Sequence, residues 1–185
     1  FGDAVLRRGD DRLEVARLTT LAGYAALELA GGPPWRFDGR VAVVENLEPF
    51  RHVERVVPGV DLAVYAGGRL SGRLLAWLGG EGFANCSLIH WGDHDPTGVD
   101  DYLRLAAACP GRVELWIPEG LAGLFQRYGK PELVRDGASV LARLRQCGDL
   151  QVRAVVGLMD AYGGGVEQES LLVGLEGRHD GDSSR

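Results

Sequence analysis

Apolar runs of four to six residues alternate with helix-like segments along most of this chain. Four of these runs predict buried strands: residues 41–44, 62–65, 86–91 and 113–117. Continuous apolar runs of this length are typical of parallel strands covered on both faces. Apolar residues at helical spacing lie between and after the runs, for example over residues 69–78. The alternation predicts an α/β fold, with a sheet of about four mainly parallel strands, flanking helices and a helical C-terminal extension.

The same pattern divides the chain into three parts. Residues 1–38 are interpreted as an N-terminal helical lead-in, because residues 12–30 are rich in helix formers and end at two glycines. Residues 39–172 form the predicted catalytic domain, and residues 173–185 form a polar tail. The chain begins with Phe1 rather than Met, so we expect it to be a fragment that lacks an upstream region.

Composition indicates a soluble globular protein, with 45% hydrophobic and 25% charged residues. No apolar run approaches the roughly 18 residues that span a bilayer, so no membrane association is expected. Three widely spaced cysteines without a CxxC pair indicate reduced thiols, which favours a cytoplasmic location. The net charge of −6 argues against strong DNA binding by this chain alone.

Acidic or glycine-rich residues follow three of the predicted strands. Glu45 follows the first, Gly67 and Gly68 follow the second, and Asp93 and Asp95 follow the third. Carboxyl ends of parallel strands share one sheet edge, so we expect these residues to converge there. Two carboxylates two residues apart repel each other, and a divalent cation such as Mg²⁺ is the usual reason to keep them together. Asp and Gly are also common turn residues, which is the simpler interpretation of each motif alone.

Four sequence strings carry a resemblance to a known family: ENLE at residues 45–48, YAGG at 65–68, WGDHD at 91–95 and EQE at 167–169. Residues 39–172 resemble the Toprim domain of the JetD family. These proteins are nuclease subunits of Wadjet plasmid-defence systems and are related to the topoisomerase VI catalytic subunit. Family members carry an N-terminal DNA-binding region, which would be absent or truncated here.

The resemblance implies a metal-dependent DNA endonuclease. Glu45, Asp93 and Asp95 would be catalytic and would hold Mg²⁺ or Mn²⁺ against a DNA phosphate, with Glu45 also a candidate general acid or base. Glu167 and Glu169 either complete the metal site or start a solvated helix, where acidic residues are favourable. The implied partners are double-stranded DNA, an SMC-like ATPase with its kleisin, and a second copy of the chain. The implied location is the cytoplasm, at the nucleoid.

Weaker candidates concern phosphate and the attacking group. Arg69 and Arg73 either contact DNA phosphate or form a solvated helix face, and His94 is a minor phosphate candidate because it should face away from the aspartates. Water is the expected nucleophile. The alternative is a tyrosine, and none of the five lies in a recognisable nucleophile motif: Tyr24, Tyr65, Tyr102, Tyr128 and Tyr162.

Three rival functions remain open. A topoisomerase VI-like subunit would break strands through a tyrosine. A degenerate Toprim domain would only dock DNA or a partner. The residues Asp93, Asp95 and Thr97 also match the DxDxT opening of haloacid-dehalogenase-type phosphatases, although the sole lysine, Lys130, lies in a predicted turn.

Overall fold

The computed structural model describes residues 4–27 and 34–176, with side chains through residue 173. Six strands lie in these ranges: β1 (Val5–Arg8), β2 (Asp11–Glu14), β3 (Arg40–Val44), β4 (Leu62–Tyr65), β5 (Ser87–Trp91) and β6 (Val113–Leu115). The α-helices of the same ranges are α1 (Val15–Ala22), α2 (Leu47–Arg51), α3 (Val53–Val56), α4 (Gly72–Gly79), α5 (Pro96–Ala108), α6 (Leu121–Tyr128), α7 (Pro131–Asp136), α8 (Ala138–Leu144), α9 (Leu150–Tyr162) and α10 (Glu169–Glu176).

The central sheet has four parallel strands in the order β4-β3-β5-β6. This confirms the predicted α/β fold with a parallel sheet, flanking helices and helices after the last strand. In the register of β3, Val44 pairs with Trp91 of β5 and with Tyr65 of β4. The three strands therefore end level with one another, and the residues that follow them emerge side by side.

Each face of the sheet is covered by its own apolar core. On one face Val41, Val43 and Leu88 pack with residues of α4, α5 and the N-terminal segment. On the other face Ile89 and Trp91 pack with residues of α3 and α10. Burial on both faces explains why the strands appear as continuous apolar runs rather than as alternating ones.

The N-terminal segment differs from the predicted helical lead-in. Residues 5–14 form an antiparallel hairpin of β1 and β2, and the helix α1 begins only at Val15. The turn uses Gly9 at φ +59°, a left-handed conformation that glycine adopts without steric cost. The two glycines predicted to end this region, Gly31 and Gly32, lie outside the described residues.

The helix α5 begins immediately after Asp95. Asp95, rather than Thr97, is the N-cap of α5, because its Oδ1 accepts the Gly98 N–H at 2.8 Å. Pro96 occupies the first helical position, where its fixed φ and missing N–H are tolerated. The helix predicted to start at Arg69 starts instead at Gly72 and is capped by Ser71, so Arg69 lies in the preceding loop.

The C-terminal helices pack into a third apolar cluster. α6, α8 and α9 contribute most of it, together with Val99 and Tyr102 of α5 and with Val166. Within the described ranges, no helix is both long and apolar enough to cross a membrane. The first four residues of the predicted polar tail, 173–176, belong to α10, and the rest of the tail lies outside the described ranges. The proposed division into three parts stays a prediction.

Candidate active site

Glu45 and the Asp93 loop meet at the carboxyl edge of the sheet. The Glu45 N–H donates to the Trp91 carbonyl at 3.3 Å, which continues the β3–β5 pairing by one residue. The Glu45 side chain turns toward the same loop, and its Oε2 accepts the Asp93 N–H at 3.3 Å. The glycine turn after β4 joins from the other side, with the Gly68 N–H donating to the Glu45 carbonyl at 3.0 Å.

Two glycines are required by the close packing of this loop. A Cβ on Gly92 would lie 2.5 Å from His90 Cε1 and 3.0 Å from Glu45 Oε2. A Cβ on Gly98 would lie 2.2 Å from the Asp93 carbonyl oxygen. Neither position has room for a larger residue unless the loop moves, so both glycines help to hold Glu45 near Asp93.

Asp93 is surrounded by neutral donors and by other carboxylates. Its Oδ1 accepts the backbone N–H of Gln168 at 2.8 Å and Nδ2 of Asn46 at 3.2 Å. Burial, the largest cause, and the charges of Glu45, Asp95 and Glu169 together raise the pKa of Asp93 to about 8, against the opposing effect of the Gln168 N–H. Burial is also the main cause that raises the pKa of Glu45. The edge therefore holds its carboxylates at an electrostatic cost.

Asp95 has a more compensated environment. Its Oδ1 caps α5, where the helix dipole favours negative charge. Burial nevertheless raises the pKa of Asp95, with a further contribution from Glu167. Gly165 packs directly against it, since a Cβ there would lie 2.7 Å from Asp95 Cβ.

The segment 165–169 forms a fourth side of the site. Val166 pairs with His94 through two backbone hydrogen bonds, of 2.7 and 3.0 Å. This pairing brings Glu167 near Asp95 and brings Glu169 within 3.5 Å of Asn46 Nδ2. Both glutamates that were predicted as metal ligands thus lie at the acidic edge, although Glu167 is engaged by Lys130 Nζ at 2.5 Å.

Asn46 and Gln168 are site residues to which the sequence interpretation gave no role. Asn46 Nδ2 lies between the carboxylates of Asp93 and Glu169. The Gln168 side chain accepts the Asn46 N–H at 2.9 Å through Oε1 and donates to the Trp91 carbonyl through Nε2. Their presence within the strings ENLE and EQE was the only available signal, because neutral amides lack the charge that makes an acidic residue conspicuous.

The candidate phosphate contacts separate into two groups. Arg69 lies near the edge, where its charge acts on Glu45 and Asp95, and it pairs with Asp100 and Asp101 at 2.8 and 2.9 Å. Arg73 lies exposed in the first turn of α4. His94 faces the interior, as its position between the aspartates predicted.

His94 is only 1% exposed, and its Nε2 lies 2.9 Å from the Trp116 carbonyl. Burial lowers the pKa of His94 to about 4, so its ring is neutral near pH 7. The imidazole is therefore enclosed in the interior rather than presented at the acidic edge, and its contact with DNA phosphate stays a prediction.

A tyrosine nucleophile receives no direct support from the contacts. In the part of the chain that the structure describes, no tyrosine hydroxyl hydrogen-bonds to Glu45, Asp93 or Asp95. Tyr65 ends β4 at the same sheet edge, but its ring packs against Phe50 at a centroid distance of 5.6 Å. Tyr102 donates to Asp149 at 2.9 Å, away from the carboxylates of the site.

Comparison with known protein families shows to which family this chain is related. A family model described as Wadjet protein JetD, C-terminal, matches residues 35–176. The chain belongs to the JetD family. Membership makes it a subunit of a Wadjet defence system. The match covers every acidic candidate and begins after the N-terminal hairpin, and no curated protein matches the chain.

The carboxylates of this JetD-family site offer oxygen atoms to a metal ion. Across residues 4–27 and 34–176, no three His, Cys, Asp or Glu side chains are already arranged to hold a metal ion. Mg²⁺ does not require such a cage, because it commonly binds through one or two carboxylates, several waters and substrate phosphates. Glu45 and Asp95 lie close enough to Asp93 for their charges to raise its pKa. Together the three carboxylates offer an oxygen donor set of that open kind.

Proposed function

We propose that this JetD-family chain cleaves DNA phosphodiester bonds in a reaction that depends on Mg²⁺ or Mn²⁺. The observation that carries the proposal is the convergence of Glu45 and Asp93 at one sheet edge, where the pKa of Asp93 is raised to about 8. Carboxylates crowded in this way destabilise the fold unless a cation offsets their charge. The Toprim assignment belongs to the same proposal, because it rests on the resemblance of the motifs.

Each acidic residue has a role that follows from its surroundings. Asp93 and Asp95 would hold the cation, which would polarise the phosphoryl oxygen and stabilise charge on the leaving oxygen. Glu45 accepts the Asp93 N–H through Oε2, and its raised pKa brings it closer to the range useful for proton transfer. We assign Glu45 to moving a proton to or from the attacking water or the leaving oxygen.

The surroundings of the edge supply the remaining contacts. Glu169 raises the pKa of Asp93 and would extend the cation site from the side of Asn46. Arg69 is about half exposed beside the edge, and a guanidinium keeps free donors even when it is paired with carboxylates. Arg69 would therefore contact a DNA phosphate that lies over the acidic residues, and Arg73 in the first turn of α4 would be a further phosphate contact.

The family relationship extends the proposal to partners. Within a Wadjet system, this subunit would act on double-stranded DNA together with an SMC-like ATPase and its kleisin, at the nucleoid in the cytoplasm. The net charge of −6 fits a subunit to which partners deliver DNA. A homodimer would supply one site for each DNA strand.

The test is cleavage of closed circular plasmid by the assembled complex in Mg²⁺ or Mn²⁺. Wild-type protein is compared with Asp93→Asn, which keeps an oxygen to accept the Gln168 and Asn46 hydrogen bonds. The matched control is Asp160→Asn, which removes an exposed carboxylate paired with Arg145. We expect nicked or linear DNA from wild type and from the control, and at least about a 1,000-fold loss of rate for Asp93→Asn.

Other outcomes favour the rival functions. Equal cleavage by wild type and Asp93→Asn would contradict the metal-nuclease proposal. DNA bound covalently to a tyrosine would favour a topoisomerase VI-like subunit. Release of phosphate from small phosphomonoesters would favour a phosphatase, and DNA binding without cleavage would favour a docking module.

A further inference from the structure

Gln168 is a fully buried polar residue beside the candidate site. Its side chain and its backbone N–H together make three hydrogen bonds, and the residue is 0% exposed. The Asn46 N–H donates to Oε1 at 2.9 Å, Nε2 donates to the Trp91 carbonyl, and the Gln168 N–H donates to Asp93 Oδ1 at 2.8 Å.

These bonds join segments that are distant in the sequence. The partners of Gln168 are separated from it by 122, 77 and 75 residues. Trp91 ends β5, Asn46 follows β3, and Asp93 is the candidate ligand between them. One amide therefore fixes the C-terminal segment to both strand ends from which the acidic residues emerge.

The energetics favour a single arrangement. Loss of the Gln168 amide would leave the Asn46 N–H and the Trp91 carbonyl unpaired, and an unpaired buried polar group destabilises the fold. The bond to Asp93 comes from the backbone, so it survives a change of side chain only if the peptide stays in place. Position, rather than charge, is thus what the Gln168 side chain supplies.

We infer that Gln168 is a positioning residue, which holds the Asp93 carboxylate and the Glu45–Asn46 turn in the geometry that a divalent cation needs. This inference rests on the proposed function. Groups that orient metal ligands in this way typically contribute about 10- to 100-fold to metal affinity.

A second glutamine, elsewhere in the fold, makes it possible to distinguish the positioning role of Gln168 from a purely structural role. Gln151 makes the same type of side-chain pair with β6, accepting the Leu115 N–H at 3.2 Å and donating to the Leu115 carbonyl at 3.1 Å. It lies at the opposite side of β5 from Glu45, at the strand that ends the sheet. Replacing either glutamine with leucine removes one accepted and one donated backbone bond.

The experiment compares Gln168→Leu, Gln151→Leu and wild type as the full 185-residue chain. Mn²⁺ affinity is measured by calorimetry well below the thermal transition of each protein, and unfolding is followed in the presence of a chelator. We expect both variants to unfold at lower temperature, whereas only Gln168→Leu loses about 10- to 100-fold in Mn²⁺ affinity. If Gln168→Leu does not fold, Gln168→Glu is compared with Gln151→Glu in the same way.

Failure of the positioning role and failure of the proposed function give different results in this experiment. Equal Mn²⁺ affinity of the Gln168 and Gln151 variants would overturn the positioning role and leave the proposed function standing. Absence of Mn²⁺ binding by wild type would overturn the proposed function and this inference with it.

Discussion

The two halves of the acidic edge treat negative charge differently. We call Glu45, Asn46, Asp93 and Gln168 the Asp93 half, and Asp95, Lys130, Gly165 and Glu167 the Asp95 half. In the Asp95 half, one carboxylate caps a helix and the other pairs with a lysine ammonium group. In the Asp93 half, the hydrogen bonds to Asp93 come from neutral amides.

This contrast indicates which half of the acidic edge a bound cation would stabilise most. The helix cap and the lysine offset part of the charge in the Asp95 half, although burial still raises the pKa of Asp95. Asp93 has no comparable cation among its hydrogen-bond donors within the described residues, and burial together with the neighbouring carboxylates raises its pKa. We therefore expect the Asp93 half to dominate cation affinity, with Asp95 as the adjoining ligand.

The largest expected effect comes from Asp93→Asn. Because the folded pKa of about 8 lies above the ordinary value of 3.8, the folded protein binds a proton that the unfolded chain releases. The resulting destabilisation is absent below about pH 4, grows between pH 4 and 8, and is complete above pH 8. Asp93→Asn removes it, so this variant should be more stable than wild type in chelator at pH 8, and the difference should vanish near pH 4.

The same variant should lose the response to metal. Mn²⁺ should raise the unfolding temperature of wild type and not that of Asp93→Asn, with a loss of at least about 100-fold in affinity. Chemical denaturation across the pH range, with and without Mn²⁺, measures both effects. A variant that is less stable than wild type at pH 8 would show that the carboxylate is not under electrostatic strain.

An intermediate effect is expected from two glycine substitutions, one at Gly92, which adjoins the Asp93 half, and one at Gly165 in the Asp95 half. Gly92→Ala places a methyl group 2.5 Å from His90 and 3.0 Å from Glu45 Oε2, whereas Gly165→Ala places one 2.7 Å from Asp95 Cβ. Both should cost about 1–3 kcal/mol of stability through overpacking. Only Gly92→Ala should also weaken Mn²⁺ binding by about tenfold, because it displaces Glu45 from Asp93.

The control for both is Gly123→Ala in α6, where the added methyl group meets open space. That substitution should leave Mn²⁺ affinity unchanged and should raise stability slightly, since alanine favours the helix. Calorimetry and thermal unfolding of the three variants give the comparison. A larger loss of affinity in Gly165→Ala than in Gly92→Ala would place the cation in the Asp95 half.

Strand positions were predictable because they depend on local patterns. Apolar runs such as residues 41–44 predict a buried strand, and parallel pairing of the strands then brings Glu45 beside Asp93. Most of the second strand of the N-terminal hairpin was assigned to a helix because Arg12, Leu13 and Glu14 are good helix formers, and the turn at Gly9 overrides that preference.

The supporting residues of the site were not predictable in the same way. The contacts of Gln168 depend on how α10 and the preceding segment dock, and no local pattern encodes the partner of a buried amide. Asp95 was predicted as a catalytic and metal-binding residue, and its role as the N-cap of α5 was not predicted. That role depends on the geometry of the loop, which no local pattern encodes.

The smallest expected effect separates the two outlying glutamates. Glu169 lies beside Asn46 in the Asp93 half and raises the pKa of Asp93, whereas Glu167 is neutralised by Lys130. Glu169→Gln should weaken Mn²⁺ binding by about threefold, because an exposed charge contributes only modestly through solvent. Glu167→Gln should change the affinity by less than about twofold, because Glu167 acts on Asp95, in the half that we expect to contribute less to cation affinity. Calorimetry on both variants at one ionic strength measures the difference, and a greater loss in Glu167→Gln would mean that Glu167 leaves Lys130 to bind the cation, which would reverse the order of the two halves.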